Sequence, residues 1–450
     1  MTEDNMAQGA QSSLINIYML TFNCGTSLID VDAFASQLFT GFTSPKLPDL
    51  LVLSLQEIAP IPHSLIGGSF LLPYFERFYQ AIQKASREFS SGVDASPVYD
   101  VVATQNLGMT AIIVFAQDSR AIKDIETGGV GLGIAEMGNK GATGIRFTYH
   151  ANGSSTELTF VAAHLAAMES ELQRRNADWS NIVRGLVFKS TSKWNRASTN
   201  SLSNDEQPLL SISARDPSIF KPTSHLFFSG DLNYRTSKFS PKPEDHLEAF
   251  PQPHHHESSP RHYSALFESD QLNQERLAGR TCHGLTEAQI TFPPTYKYDP
   301  EEPFLTPDKD LSKWHWAKHR WPSWCDRILY LEVPTWLKKD NPDAKILVHK
   351  YSALPLFPTS DHRAVALDFS VPLIPIPSPT DDEDSDDPRI RPPFQLNPNW
   401  KTNRDQARML ELLTGLTMYL TTTSRGLGVL ATMVIGTVGV YFAVGAMLDI

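Results

Sequence analysis

Cysteine is scarce in this chain. Its 450 residues hold three, Cys24, Cys282 and Cys325, odd in number and far apart. A disulfide framework and the paired spacing of a structural zinc site are both excluded, and a reducing compartment is expected for the folded part. A cysteine-based phosphate loop of the C-x5-R type is excluded too, because Cys325 is followed at once by Asp326. Positive charge is also in short supply: 39 Lys and Arg against 50 Asp and Glu leave a net charge of -11. A nucleic-acid partner would call for a basic face, so none is expected, although a local basic pocket remains compatible with the balance. Residues 1–13 are polar, lack the apolar core of a signal peptide and are expected to be disordered. No internal repeat is evident.

Long apolar runs are rare as well, with one exception. Gly426 to Leu448 contains no charged residue and no proline. At about 23 residues it can cross a hydrocarbon core of roughly 30 Å as a helix. Arg425 precedes it, where positive charge favours the cytosolic side. The expectation is a single-pass tail anchor with the folded domain in the cytosol. The endoplasmic reticulum membrane is the first candidate, on the modest hydrophobicity of the span, and the mitochondrial outer membrane is the alternative. Residues 409–425 are expected to be a juxtamembrane segment lying in the interface. Residues 371–408 are proline-rich at first and then carry the run Asp381, Asp382, Glu383, Asp384, Asp386, Asp387, which reads as an extended, solvated linker. A flexible chain of that length has a root-mean-square span of roughly 30–35 Å.

Residues 14–370 alternate strand-like and helix-like patterns. Strands are predicted at Ile15–Thr21, Leu50–Leu55, Val98–Thr104, Thr110–Phe115, Thr143–Tyr149, Leu158–Ala163, Leu226–Ser229, Ile328–Leu331, Ile346–Tyr351 and Ala364–Phe369. Leu71–Phe89 and Ala166–Phe188 read as amphipathic helices. That is a mixed α/β pattern with too many strands for one doubly wound sheet. Two packed sheets with helices outside fit it better. Residues 189–224, rich in Ser, Asn and Asp, read as a surface insertion.

The chemistry-bearing residues gather at strand ends. Ser229-Gly230-Asp231-Leu232-Asn233-Tyr234-Arg235 follows the apolar run Leu226-Phe227-Phe228. A carboxylate there can orient water or hold a metal, an amide can donate to a phosphoryl oxygen, and a guanidinium can clamp phosphate. Asn23 follows the first strand, and Gln56-Glu57 follows a fully apolar one. A carboxylate in that position is a common metal ligand, and oxygen ligands suit Mg²⁺. Gly138-Asn139-Lys140-Gly141 is either a phosphate cradle or a hairpin turn. His164 ends another strand, and Asp326 and Asp361-His362 begin two more. Lys297, Lys318, Arg320 and Arg327 form a local excess of cations on an acidic chain, which suggests an anionic ligand. Strand ends of this kind can be brought to one edge of a two-sheet core.

Taken together, Pro322-Ser323-Trp324-Cys325-Asp326-Arg327, Gly230 to Arg235, Pro294-Thr295-Tyr296-Lys297-Tyr298, Gly138 to Gly141 and Ser360-Asp361-His362-Arg363 resemble the inositol polyphosphate 5-phosphatase family, within the wider endonuclease–exonuclease–phosphatase group. The similarity covers roughly residues 14–370. With its closing span the chain looks like the fungal tail-anchored members that act on phosphatidylinositol 4,5-bisphosphate. The resemblance implies a four-layer αββα sandwich of the deoxyribonuclease I type. It implies that Glu57 is the principal Mg²⁺ ligand, with Asn23 and Asp361 beside it. Asp231 would activate the attacking water. Asn233, His164 and His362 would hold the phosphoryl oxygens, and Asp326 would orient His362. Asn139, Lys140 and Arg235 would contact substrate, while Tyr296, Lys297, Lys318 and Arg320 would grip the 4-phosphate.

The departures from the pattern are Phe22 for a usual Trp, Ala163 for Ser, Trp179 for Tyr, Ala364 for Pro and Ala288 for Gly. None removes an expected catalytic group. The implied activity is removal of the 5-phosphate from phosphatidylinositol 4,5-bisphosphate by in-line attack of water, with a phosphoinositide lipid and the membrane as partners and the protein acting as a monomer. The alternatives are action on soluble inositol polyphosphates, or a nuclease-like or sphingomyelinase-like phosphodiesterase on the same fold.

Overall fold

A computed structural model of the chain describes residues 14–90, 98–190, 216–299, 313–380 and 386–447. In chain order the strands are β1 (Leu14–Asn23), β2 (Leu50–Gln56), β3 (Asp100–Leu107), β4 (Thr110–Ala116), β5 (Ile122–Gly131), β6 (Gly141–Ala151), β7 (Ser154–His164), β8 (Lys189–Ser190), β9 (Ser224–Asp231), β10 (Thr286–Glu287), β11 (Asp326–Tyr330), β12 (Leu347–Ala353) and β13 (Val365–Pro372). The helices are α1 (Val31–Gln37), α2 (Ile61–Ile66), α3 (Leu72–Phe89), α4 (Leu172–Gly185), α5 (Asp245–Glu248), α6 (Tyr263–Phe267), α7 (Gln271–Leu277), α8 (Thr335–Asp340), α9 (Trp400–Thr422) and α10 (Ser424–Met447).

The alternation in β1 explains the layering. Ile15, Ile17 and Met19 point to one buried cluster, while Tyr18, Leu20 and Phe22 point to another. β2 divides the same way, with Leu50 and Val52 on one side and Leu51, Leu53 and Leu55 on the other. Strands apolar on both faces must be covered on both faces. One face of this sheet, ordered β12-β13-β1-β2-β4-β3, lies against α1 and α3. The other lies against the second sheet, ordered β10-β11-β9-β7-β6-β5-β8. Phe227 of the second sheet meets Phe369 of the first with ring centroids 4.7 Å apart. The outer face of the second sheet carries Val161, Ala163 and Phe228, covered by Trp179, Ile182 and Val183 of α4. The result is the expected four-layer sandwich.

Several segments depart from the sequence-based expectation. Ile122–Gly131 is a strand, β5, which the glycines of 128–131 conceal. The helix expected over 166–188 is shorter, because side chains on α4 hold the residues before it out of helical geometry. Arg175 Nη1 donates to the carbonyls of Ala166 and Met168, and Asp178 accepts from the Ala166 amide. Thirdly, the described parts of 371–408 are packed rather than free. Leu373 and Ile376 are buried in the central core, Trp336 Nε1 donates to Pro377 O at 2.9 Å, and buried Arg389 binds Asp387 and Glu332 O. Asp381 to Asp384, and 191–215 of the insertion, lie outside the described residues. The described ends of the insertion are not surface loop, since Lys189–Ser190 is β8, Ile219 and Phe220 are buried with Trp179, and Ser224 opens β9. From Trp400 onward the chain is helical, and α10 includes 21 residues, Ser424–Val444, of mean hydropathy 2.1, long and apolar enough to span a membrane.

Candidate active site

Four adjacent strands present polar residues in one line. In the second sheet Gly141 of β6 pairs with His164 of β7, His164 with Asp231 of β9, and Asp231 with Asp326 of β11. Lys140 directly precedes Gly141. In the first sheet Asn23 ends β1 opposite Gln56 at the end of β2, and Glu57 follows. The two lines meet across the sandwich, where Asn23 Nδ2 donates to Asp231 Oδ2 at 3.0 Å. Glu57 and Asn233 leave their strands with φ of 48° and 57°, a conformation uncommon for residues other than glycine. Gly230 is required by close packing, since a Cβ there would lie 1.9 Å from Ala163 O.

Asp231 is the hub and is buried. Its Oδ1 accepts from the Asn233 amide at 3.1 Å, and its Oδ2 lies 3.2 Å from His164 Nε2 and 3.9 Å from His362 Nε2. His362 Nδ1 lies 2.9 Å from Asp326 Oδ2, which also accepts from Thr295 Oγ1 at 2.7 Å. Burial alone would raise the Asp231 carboxyl, but His362, His164 and Lys140 hold it well below the usual carboxylate range. Burial would lower His362, and Asp326 with Asp231 instead pushes it up to about 9. Asp326 is raised by burial against the pull of His362. Burial and neighbouring Lys140 both lower His164. Near neutrality the cluster therefore combines an ionised carboxylate, a cationic imidazole with its Nε2 turned toward that carboxylate, and a neutral imidazole. Such a set can orient a water, take its proton and donate to an anion.

Glu57 is the most open acid of the group. Its side chain is 32% exposed, and Oε1 lies 3.8 Å from both Lys140 Nζ and His164 Nε2, beyond hydrogen-bond length. Its carboxylate, like those of Asp231 and Asp361 and the amide oxygen of Asn23, is a hard oxygen donor of the kind that suits a divalent cation such as Mg²⁺. Among the described residues, Asp231, Asp326 and His362 bring their ligand atoms within reach of a single metal ion, and His362 Nδ1 is hydrogen-bonded to Asp326 Oδ2 within that group.

The expected site residues do not all converge equally. Tyr296 and Lys297 do. The Tyr296 ring lies 4.5 Å from His362, and Lys297 Nζ pairs with Asp361. Arg235 is buried, donating to Asn233 O at 3.0 Å and lying 4.4 Å from the Tyr296 ring, while its Nη1 is buried without a hydrogen-bond partner among the described residues. Asn233 Nδ2 donates to Leu165 O at 3.1 Å. The Asn139 side-chain oxygen turns toward Gly133. Lys318 is exposed and lines a separate cavity of about 680 Å³ with His254, His255 and Arg261. Arg320 turns to Glu169 at 3.6 Å. Arg327 lies inside the protein. It is fully buried and bound to Asp270 and Glu287 at 2.9 and 2.6 Å, so the sequence-based reading of it as part of an anion-binding excess does not hold. Two hydroxyls had no role assigned from sequence. Thr295 braces Asp326, and Ser360 Oγ bridges Asn23 O and the His362 amide. Their only signal was a place inside the short motifs.

Two sheets packed face to face, helices outside them, and an acid–amide–histidine cluster at one edge are the sandwich architecture of phosphoester-cleaving enzymes. Residues 20–368 match the model of endonuclease/exonuclease/phosphatase family 2, and the chain belongs to that family. It is 30% identical over 333 residues to inositol-1,4,5-trisphosphate 5-phosphatase 1 of Schizosaccharomyces pombe, covering 73% of this chain and 25% of the relative. It is 33% identical over 281 residues to phosphatidylinositol 3,4,5-trisphosphate 5-phosphatase 1 of Xenopus laevis, covering 61% and 23%. The chain thus spans about a quarter of the length of these curated relatives. Among solved structures it resembles the inositol polyphosphate 5-phosphatase domain of SPsynaptojanin in complex with inositol (1,4)-bisphosphate and calcium ion, with a TM-score of 0.56, 26% identity and coverage of 80% of this chain and 85% of that one.

Proposed function

We propose that this protein is a Mg²⁺-dependent phosphoinositide 5-phosphatase that converts phosphatidylinositol 4,5-bisphosphate to phosphatidylinositol 4-phosphate. The observation that carries the reading is the hub at Asp231, bonded to Asn23 from the opposite sheet and flanked by His164 and the His362–Asp326 pair. Asp231, kept ionised by its neighbours, orients a water for in-line attack and takes its proton. His362, held cationic by Asp326, donates from Nε2 to a phosphoryl oxygen as charge builds. His164 and Asn233 stand beside the same oxygens, and Lys140 adds positive charge near them. A cation held by Glu57, with Asn23 and Asp361, would neutralise the phosphoryl group when bound. Tyr296 and Lys297 line the approach to His362, where a neighbouring 4-phosphate would be gripped. Lys318 and Arg320 would have to swing in to join them. Asn139 and Arg235 support the loops that do the binding.

The 5-phosphatase activities named for the relatives support this reaction class, and the apolar α10 supports a substrate that resides in a membrane. The reading includes a monomer with its catalytic domain in the cytosol, held in the endoplasmic reticulum membrane by α10. Phosphate release should be measured from a panel of lipid and soluble headgroup isomers, with and without Mg²⁺, alongside a plasmid-nicking assay. Release confined to compounds bearing a 5-phosphate is expected. Nicking without monoester hydrolysis would replace the proposal with a phosphodiesterase.

A further inference from the structure

The helix before the membrane span is docked on the catalytic domain by one face and bare on another. Ala407, Glu411 and Gly415, four residues apart, are its buried stripe. Gly415 sits against α2, where an added Cβ would meet Leu65 and Ile66 at 3.0 and 3.1 Å. Arg408 donates to Leu65 O and Ile66 O at 2.6 and 2.8 Å. Glu411 accepts from the Gly138 amide at 2.9 Å and pairs with Arg404 and Arg408. Both contacts reach toward the site. Gly138 lies two residues before Lys140, and α2 begins four residues after Glu57.

The bare face is apolar. Met409, Leu412, Leu413 and Leu416 are 73, 43, 64 and 52% exposed. Their spacing of three and four residues places them on one side of the helix. What covers this face is indicated by chain continuity. A single residue, Thr423, separates α9 from α10, and the joint is hydrogen-bonded. Thr423 Oγ1 donates to Tyr419 O at 2.7 Å, while the Gly426 amide donates to Thr423 Oγ1 at 2.9 Å and the Leu427 amide to Thr423 O at 2.9 Å. Leu416 precedes the span by about two helical turns, roughly 11 Å along the axis. The stripe is therefore carried to the surface of whatever bilayer α10 crosses.

We propose that α9 is an interfacial helix that seats the catalytic domain directly on the bilayer crossed by α10, with the Met409–Leu416 stripe in the lipid surface and Glu411 bracing the segment that leads to Lys140. The domain then works on its own membrane and not on one across a gap. The functional part of this rests on the phosphatase reading; the placement does not. The test uses the full chain in phosphatidylcholine vesicles, with Leu413→Cys and Leu416→Cys labelled by an environment-sensitive fluorophore. The native cysteines are buried, which favours selective labelling. Brominated phosphatidylcholine should quench both probes strongly and a probe at exposed Leu277→Cys of α7 little. Equal, weak quenching at all three positions overturns the placement. In a second arm, vesicles holding both enzyme and phosphatidylinositol 4,5-bisphosphate should turn over at least about tenfold faster than enzyme vesicles mixed with separate substrate vesicles. About twenty Gly/Ser residues inserted between Thr423 and Ser424 should narrow that gap. Equal rates in both arrangements overturn the restriction to one membrane. Quenching without turnover anywhere would leave the placement supported and remove the phosphatase reading.

Discussion

Asp231 is held by Asn23, by the Asn233 amide and by His164. Asp231→Asn keeps the size and most of these contacts and removes the base. Its turnover is expected to fall by about 10²–10⁴-fold, the usual range for a positioned acid or base, with folding intact by circular dichroism. Unchanged turnover would refute the assignment. His362 makes the pH prediction. Its proton is held up to about 9, above the ordinary histidine value, by Asp326 and Asp231 against burial. The cation is present below that pH and lost above it, so turnover should decline as pH rises through about 9. His362→Asn should lower the rate and abolish that limb of the profile.

At the scale of elements, buried ion pairs and helix contacts position the site from behind. Arg327 at the second residue of β11 is fully buried between Asp270 and Glu287. Removing one partner leaves uncompensated buried charge, so Arg327→Met is expected to cost about 3–5 kcal/mol, read from denaturant unfolding. Glu411 of α9 accepts from the Gly138 amide. Glu411→Ala is expected to lower kcat several-fold with little change in KM. Glu411→Gln, which can still accept that hydrogen bond, should recover most of the rate. Equal loss in both variants would show that charge pairing with Arg404 and Arg408, not the hydrogen bond, is what matters.

For the molecule as a whole, the proposed function places a cation where the strand ends of the two sheets meet. Glu57 lies 3.8 Å from Lys140, Asp231 lies 3.9 Å from His362, and Asp361 pairs with Lys297. Chelation with EDTA is expected to abolish turnover, and added Mg²⁺ to restore it, without change in the far-ultraviolet circular dichroism. Turnover that survives exhaustive chelation would remove the metal from the proposed mechanism.

Much of this was legible along the chain because its signals are local. Period-two alternation in β1 and the apolar runs of β2 and β9 marked the core strands, the polar residues that follow them marked the candidate site, and the apolar stretch of α10 marked a helix long and apolar enough to span a membrane. The β5 strand was hidden because glycines and the register shift between Lys123 and Glu126 interrupt its pattern. The roles of Arg327, Arg235 and Glu411 were hidden for a different reason. A charged side chain looks the same in sequence whether it meets a ligand or an opposite charge brought in from far away, as Asp270 and Glu287 are brought to Arg327. The same holds for α9. Its composition allows a loose tether or a docked helix, and the choice falls to packing partners, Leu65, Ile66 and Gly138, that are distant in sequence and near in space. Local periodicity thus settled the elements and which polar residues stand at their ends, while long-range burial and charge pairing settled which of those groups are locked inside the protein.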